Sequence, residues 1–310
     1  MKRKMFFYLL IISSSISFSQ TIEVLESKLL PLEDNTFALP QFSPDGSKLL
    51  FTQNGCKGLW IYDLESRSLD QINDNAGAGY EPVFSDDGSQ VIYRIDEYVH
   101  FRKYSMLAVQ SLNDKSVEYL TEKTRGLLPA MKLDNDRFLM VSGKQLKTLS
   151  IDKMQLSKSL SSAGKTTYIE DQKIVLVVDG EKSVLAPLGE GNYIWPSLSP
   201  DQSQLLFTKA GKGSYICDLK GNILTDLGQA RAPKWSPDGN WIVFMLDKDD
   251  GHTITSSDIW AVYKDGKKQI QLTNSTDIAE MYPAWSPVMD KIAFDTADGK
   301  IGYLTITIGE

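Results

Sequence analysis

The chain has 310 residues, a formal charge of −7 and only two cysteines and two histidines. An acidic surface repels phosphate backbones and anionic headgroups, so nucleic acid and membrane-surface partners are disfavoured. Cys56 and Cys217 are too few and too far apart for a disulfide framework, and both are expected as unpaired small side chains.

At the N-terminus Lys2, Arg3 and Lys4 precede an apolar run from Met5 to Ile12, then a serine-rich stretch ending in Ser17, Phe18 and Ser19. That is the pattern of a secretory signal peptide over residues 1–19. The run is well short of the ~20 apolar residues that a spanning helix needs, so no membrane-spanning segment is expected after processing. Removing three cations takes the formal charge from −7 to −10. The processed protein is expected to be periplasmic or secreted.

From Thr21 to Leu30 runs an apolar-rich strand with no internal copy. A motif then recurs, Pro-x-aromatic-Ser-Pro-Asp-Gly followed by an apolar strand. It reads PQFSPDGSKLLF from Pro40, PVFSDDGSQVIY from Pro82, PSLSPDQSQLLF from Pro196, PKWSPDGNWIVF from Pro233 and PAWSPVMDKIAF from Pro283, with a weaker copy, PAMKLDNDRFLM, from Pro129. Each copy predicts a short strand, a tight turn whose Pro presets φ and whose Gly admits positive φ, and a β-rich second strand. Third and fourth strands follow, as in Leu59–Leu64, Tyr215–Leu219 and Gln269–Leu272. Four antiparallel strands per unit of this size is the pattern of a propeller blade.

The fold expected over residues 20–310 is therefore all-β, a single β-propeller domain. One spacing, between Pro129 and Pro196, is too long for one blade. The segment Thr166 to Gly189 inside it reads as a reduced blade, which gives seven; read as a hairpin inserted on a neighbour, it gives six. The last unit has three obvious strands, around Ala284, Ile292 and Tyr303, so Thr21–Leu30 is expected to supply its fourth and close the ring.

The segments FSPDGSKLLF from Phe42 and WSPDGNWIVF from Trp235, with Leu272-Thr273, resemble the WD40-like repeats of TolB-type propellers, periplasmic components of the Tol–Pal system. The resemblance covers nearly all of the chain after the signal peptide. It implies a propeller, normally of six blades, and allows a structural calcium in the channel without assigning ligands. TolB proteins carry an α/β domain before the propeller, for which the roughly 20 residues before the first repeat leave no room. The same repeat serves binding proteins, peptidase propellers and lyases, so it implies a shape more than an activity.

No Gly-x-Ser-x-Gly elbow is present, which argues against a hydrolase of the prolyl-peptidase kind. The Ser236-Pro237-Asp238-Gly239 segment reads as turn chemistry, not as a sialidase-type box. Metal-dependent lyases gather several imidazoles; here His100 and His252 stand in separate long connections, Asp96–Ser105 and Asp247–Ser257. Asp247, Asp249, Asp250 and His252 form an oxygen-rich stretch that only loosely resembles a calcium loop, and they are weak metal candidates. No cofactor is expected.

Propellers bind at the mouth of the channel. The residues before each leading Pro, Leu39, Glu81, Leu128, Trp195, Ala232 and Tyr282, should lie near that rim, with Tyr80, Tyr193, Arg231 and Glu280 close by. Aromatic and charged side chains converging there have the composition of a recognition surface, Glu81 and Arg231 above all. The function expected is that of an exported, non-enzymatic propeller binding a protein or peptide of the cell envelope. The alternatives are a carbohydrate-binding or carbohydrate-processing propeller, with Trp195, Tyr193 and Tyr282 stacking on sugars, and a cryptic hydrolase.

Overall fold

The structure is a computed structural model that describes residues 21–32, 36–134, 137–151, 155–157 and 164–309. The expected signal peptide lies outside the described residues. Within them every regular element is a strand, and no helix is long and apolar enough to cross a membrane.

The strands form seven sheets. After β1 (Thr21–Leu29) comes blade 1, with β2 (Phe37–Phe42), β3 (Lys48–Gln53), β4 (Lys57–Asp63) and β5 (Leu69–Ala76). Blade 2 holds β6 (Val83–Phe84), β7 (Gln90–Val99), β8 (Arg102–Ser111) and β9 (Val117–Tyr119), and blade 3 holds β10 (Met131–Asp134), β11 (Arg137–Ser142), β12 (Gln145–Ser150) and β13 (Gln155–Ser157). Blade 4 has only β14 (Lys165–Glu170), β15 (Lys173–Val178) and β16 (Glu181–Leu185). Blade 5 comprises β17 (Tyr193–Leu198), β18 (Gln204–Lys209), β19 (Gly213–Asp218) and β20 (Ile223–Asp226), and blade 6 comprises β21 (Arg231–Trp235), β22 (Trp241–Asp249), β23 (Ile254–Tyr263) and β24 (Gln269–Gln271). Blade 7 is β25 (Glu280–Trp285), β26 (Lys291–Thr296) and β27 (Ile301–Gly309), completed by β1 in the order β1-β27-β26-β25. Segment Lys165–Leu185 is thus a blade in its own right, so the ring has seven blades, one more than the repeat family's norm.

The turn that repeats in sequence repeats in geometry. The motif serine bonds the aspartate two residues on, Ser43 to Asp45 at 2.5 Å, Ser85 to Asp87 at 2.6 Å, Ser199 to Asp201 at 2.6 Å and Ser236 to Asp238 at 2.5 Å. The same hydroxyl accepts the backbone N–H that opens the second strand, as at Lys48 and Trp241, both 2.9 Å. Gly46, Gly88 and Gly239 sit at φ of 73°, 70° and 69°; Gln202 and Met289 take the same left-handed conformation in the degenerate copies. Hydrogen bonds from Ser43 and Ser47 hold the Asp45 carboxyl at about 2. The carboxylate is engaged by the turn, and Ser236 and Asp238 bond each other and the adjacent backbone in the same way.

Alternation in the second strands builds the core. Leu49 and Phe51 point into the cluster shared with blade 7, while Leu50 points into the cluster shared with blade 2. Ile242 and Phe244 pack towards blade 5, and Val243 packs towards blade 7. Strands greasy on both faces cannot be covered by one neighbour, so each blade must be clamped between two. Each blade–blade seam then holds one apolar cluster.

Ring closure is covalently discontinuous. Strand β1 pairs antiparallel with β27 from Thr21↔Gly309 to Leu29↔Gly302, with a bulge between Val24 and Glu26. It lowers Ile22 into the seam of blades 6 and 7, and the following Leu30 into the seam of blades 7 and 1. Cys217 is buried, Cys56 is half-buried, and both are free thiols.

Candidate functional site: the channel mouth

Where the Ser-Pro-Asp-Gly turn or one of its variants occurs it joins the first strand of the blade to the second, so the beginning of the first strand and the second hairpin share the opposite face. This face carries the residues before the leading prolines and the tips of the β7–β8 and β22–β23 hairpins.

The residue before the leading Pro adopts a left-handed conformation in five blades: Leu39 at φ 57°, Glu81 at 53°, Trp195 at 52°, Ala232 at 47° and Tyr282 at 46°. Proline has no N–H for the ladder, and the pairing register skips across these dipeptides, between Ala38 and Gln41, Ile194 and Ser197, Arg231 and Lys234, and Met281 and Ala284. A left-handed non-glycine residue costs on the order of 1 kcal/mol or more, so its recurrence reflects the fold's geometry. The backbone is constant and the side chain varies, which makes the position a display platform. Leu128, in the weak copy, lacks this conformation among the described positive-φ residues and packs in the seam of blades 3 and 4.

Glu81 on blade 2 and Lys234 on blade 6 act on each other across the ring, which places both in the channel. Both are open to solvent along the channel yet ringed by protein. Desolvation therefore raises the Glu81 pKa, against the pull of Lys234 and Arg94, and lowers that of Lys234, against the pull of Glu81. Beside Glu81, the Arg94 guanidinium lies 5.0 Å from the centre of the Tyr80 ring and bonds Asp96 through Nη2 at 3.1 Å. Burial opposes ionisation of Asp96, but the Ser105 hydroxyl at 2.7 Å, Arg94 and Lys103 hold its pKa below the ordinary range.

On the other side of the mouth Arg231 bonds Asp247 at 2.6 Å and approaches Asp249 at 3.9 Å. Burial raises the Tyr282 pKa, reinforced by Asp295 and Asp247 and opposed by Arg231. Asp295 is 1% exposed, accepts the Leu39 N–H at 2.7 Å, and is pushed up to about 8 by burial.

Two residues expected at the rim are elsewhere. Tyr193 is fully buried, its hydroxyl accepting the Leu188 N–H at 2.9 Å and donating to the Gly189 carbonyl at 2.8 Å. Glu280 is 1% exposed, takes the Ser275 hydroxyl at 2.6 Å, and its backbone carbonyl accepts the Ser257 hydroxyl at 2.6 Å. Tyr193 belongs to the apolar cluster between blades 4 and 5. Tyr80, Glu81 and Arg231 are exposed, whereas Trp195 and Tyr282 are half-buried, Tyr282 against the apolar cluster between blades 6 and 7.

The expected long connections are mostly strand. The β7–β8 ladder continues to Val99↔Arg102 and turns on His100 and Phe101 at φ 48° and 61°. The β22–β23 hairpin turns at 250–253, where the four weak metal candidates diverge. Asp247 faces Arg231, Asp249 caps the Gly251 N–H at 3.0 Å, and Asp250 caps His252 and Thr253 at 2.9 and 2.8 Å. Among the described residues no three His, Cys, Asp or Glu side chains converge as a metal site. At the first hairpin tip Phe101 is completely exposed and Tyr98 is 69% exposed.

Lys234, Arg94 and Asp295 do not stand out in the sequence. Their signals are a cation between Pro233 and Trp235 of the innermost strand, and charges that interrupt the apolar runs Val91–Tyr93 and Ile292–Phe294.

No family model and no curated relative matches the chain. Solved structures do. An oligogalacturonate lyase from Vibrio parahaemolyticus aligns over 93% of this chain and 97% of its own, with a TM-score of 0.60 at 12% identity. An oligogalacturonate lyase in complex with manganese aligns over 94% and 98%, with a TM-score of 0.62 at 15% identity. TolB from Acinetobacter baumannii aligns over 81% of this chain and 57% of its own, with a TM-score of 0.52 at 18% identity. The fold is a TolB-like seven-bladed propeller. At these identities the likeness is one of architecture.

Proposed function

We propose that this TolB-like propeller is an exported, non-enzymatic binding protein that docks a protein or peptide of the cell envelope on the face bearing the channel mouth. The observation that carries this reading is the β7–β8 hairpin, which lifts Tyr98, Val99 and Phe101 into solvent on that face, with Phe101 completely exposed. An aromatic tip this exposed has the form of an interface anchor. Arg94 stacked on Tyr80, the Arg231–Asp247 pair and Glu81 facing Lys234 supply a charged rim beside it. Export rests on the signal-peptide pattern of residues 1–19, and implies a periplasmic or secreted location.

The test is affinity capture from the native envelope with three forms of the protein: wild type, a Tyr98→Ala/Phe101→Ala variant, and a Glu81→Lys/Arg231→Glu variant. Partners retained by wild type and lost from both variants support the reading. Identical recovery with all three refutes it.

A second reading, a carbohydrate-binding or carbohydrate-processing propeller, takes weight from the full-length likeness to two oligogalacturonate lyases. Trp195 and Tyr282 at the mouth would then stack on sugar rings. Binding or cleavage of oligogalacturonate, lost in Trp195→Ala, would favour it over the first.

A further inference from the structure

Among the described residues six of the seven blades have four strands, and blade 4 has three. Its outermost strand, β16, pairs with β15 along one edge only, from Ile174↔Leu185 to Val178↔Glu181. After Leu185 the chain does not return along that edge. It turns through Ala186 and Gly189, packs Leu185, Ala186 and Leu188 into the seam of blades 4 and 5, and enters β17. Among the described residues, no backbone group bonds the outward edge of β16. Glu181, Lys182, Ser183 and Val184 are all exposed, Val184 to 60%. A cavity of about 420 Å³, lined by Val178, Asp179, Glu181, Lys182 and Ser183, opens beside the strand.

Blade 7 shows what this architecture does with such an edge. Its own three strands are completed by β1, a segment more than 270 positions away in the chain, which adds antiparallel to β27. An outer edge in this ring thus accepts a strand that is not its sequence neighbour.

We infer that the free edge of β16 is a second docking site, at which an extended peptide segment of a partner protein adds antiparallel as the missing fourth strand of blade 4. This site is distinct from the channel mouth and does not depend on it. Strand addition of this kind draws affinity from main-chain hydrogen bonds and selectivity from alternate side chains. The alternation is fixed by the pairing. Lys182 and Val184 lie on the face of Val175 and Val177, towards blade 3, with the Lys182 ammonium 5.4 Å from the centre of the Tyr168 ring. Glu181, Ser183 and Leu185 lie on the face towards blade 5. The preferred segment places an aliphatic residue opposite Val184, an acid opposite Lys182 and a base opposite Glu181. Read in its own direction it is aliphatic-x-acid-base. The adjacent charges also explain why this edge need not pair indiscriminately, since charged residues on a short edge strand discourage unselective addition.

The test uses two synthetic peptides. One is acetyl-Thr-Val-Thr-Asp-Lys-Thr-amide; the other has its Asp and Lys exchanged. Hydrogen exchange on the full chain should show protection of residues 181–185 with the first peptide. Its affinity, by calorimetry, should exceed that of the exchanged peptide by about fivefold or more, from two cross-strand charge pairs made attractive in place of repulsive. In the Glu181→Lys/Lys182→Glu variant, which also gives up the ion pair of Lys182 with Glu170, the preference should invert. The inference is overturned if neither peptide protects that strand at millimolar concentration, if protection falls elsewhere, or if the preference does not invert. Loss of envelope capture in the channel-mouth variants leaves these outcomes untouched, so the two proposals fail separately.

Discussion

The closure by β1 can be tested with two substitutions three residues apart. Ile22 is 5% exposed and packs in the seam of blades 6 and 7 with Trp285, Ile292, Leu304 and Ile306, whereas Leu25 sits on the bulge of the same strand at 61% exposure. Truncating a buried Ile to Ala removes transfer free energy and leaves a cavity, about 2–4 kcal/mol in a seam closed on both sides. At roughly 2–4 °C per kcal/mol for a chain of this order of length, Ile22→Ala should lower the melting temperature by about 5–10 °C. Leu25→Ala should stay within about 0.5 kcal/mol, as exposed substitutions do. Thermal unfolding followed by far-UV circular dichroism at equal protein concentration measures both. Deleting residues 21–30 should go further, exposing the β27 edge and opening the ring, and an added peptide of the Thr21–Leu29 sequence should restore part of the lost stability. Equal melting temperatures for the Ile22 and Leu25 variants, or unchanged melting after the deletion, would refute closure by this strand.

Asp295 gives a pH dependence. Its folded pKa is raised, so the fold binds a proton that the unfolded chain releases, and the stability this brings is complete below the ordinary carboxylate range and lost as pH rises towards about 8. Asp295→Asn keeps an acceptor for the Leu39 N–H and removes the titration. Each tenfold change in proton affinity between the folded and unfolded chain is worth ~1.4 kcal/mol, so the variant should exceed wild type by at least about 2 kcal/mol at pH 9 in urea unfolding, and the gap should narrow towards pH 4. A gap independent of pH would contradict this. At Gly302 an added Cβ would lie 2.5 Å from Phe294 Cζ and 2.9 Å from the Lys28 carbonyl, so Gly302→Ala should cost about 1–3 kcal/mol by forcing β1 away from β27. Melting measures that, and an unchanged Tm would show the contact to be slack. Burial pushes the Cys217 thiol up to about 12 and also raises that of the half-buried Cys56, so a thiol reagent at pH 8 should label Cys56 slowly and Cys217 only on unfolding. Fast labelling of Cys217 in the native protein would count against the packing at its seam.

The repeat made the architecture legible from sequence alone, because each physical cause sits within a few residues of its effect. Ser-Pro-Asp-Gly is a turn wherever it occurs, since its serine and aspartate bond each other and the adjacent backbone. Apolar runs such as Leu49–Phe51 must be covered on both faces. Three strands in the last unit and one unclaimed strand at the start left one way to close the ring.

The site was legible only in part. Pairing order along the chain told which residues precede each proline, and Leu39, Glu81, Trp195, Ala232 and Tyr282 share one left-handed backbone conformation there. It did not tell that the dipeptide is a left-handed bulge, nor that Tyr193 and Glu280 are buried. Nor could it pair Glu81 with Lys234, or Leu39 with Asp295, residues 153 and 256 positions apart. A pleat direction and a contact across a ring depend on the positions of all seven blades at once. Local sequence fixes the blades, and only their closure determines which charges face one another.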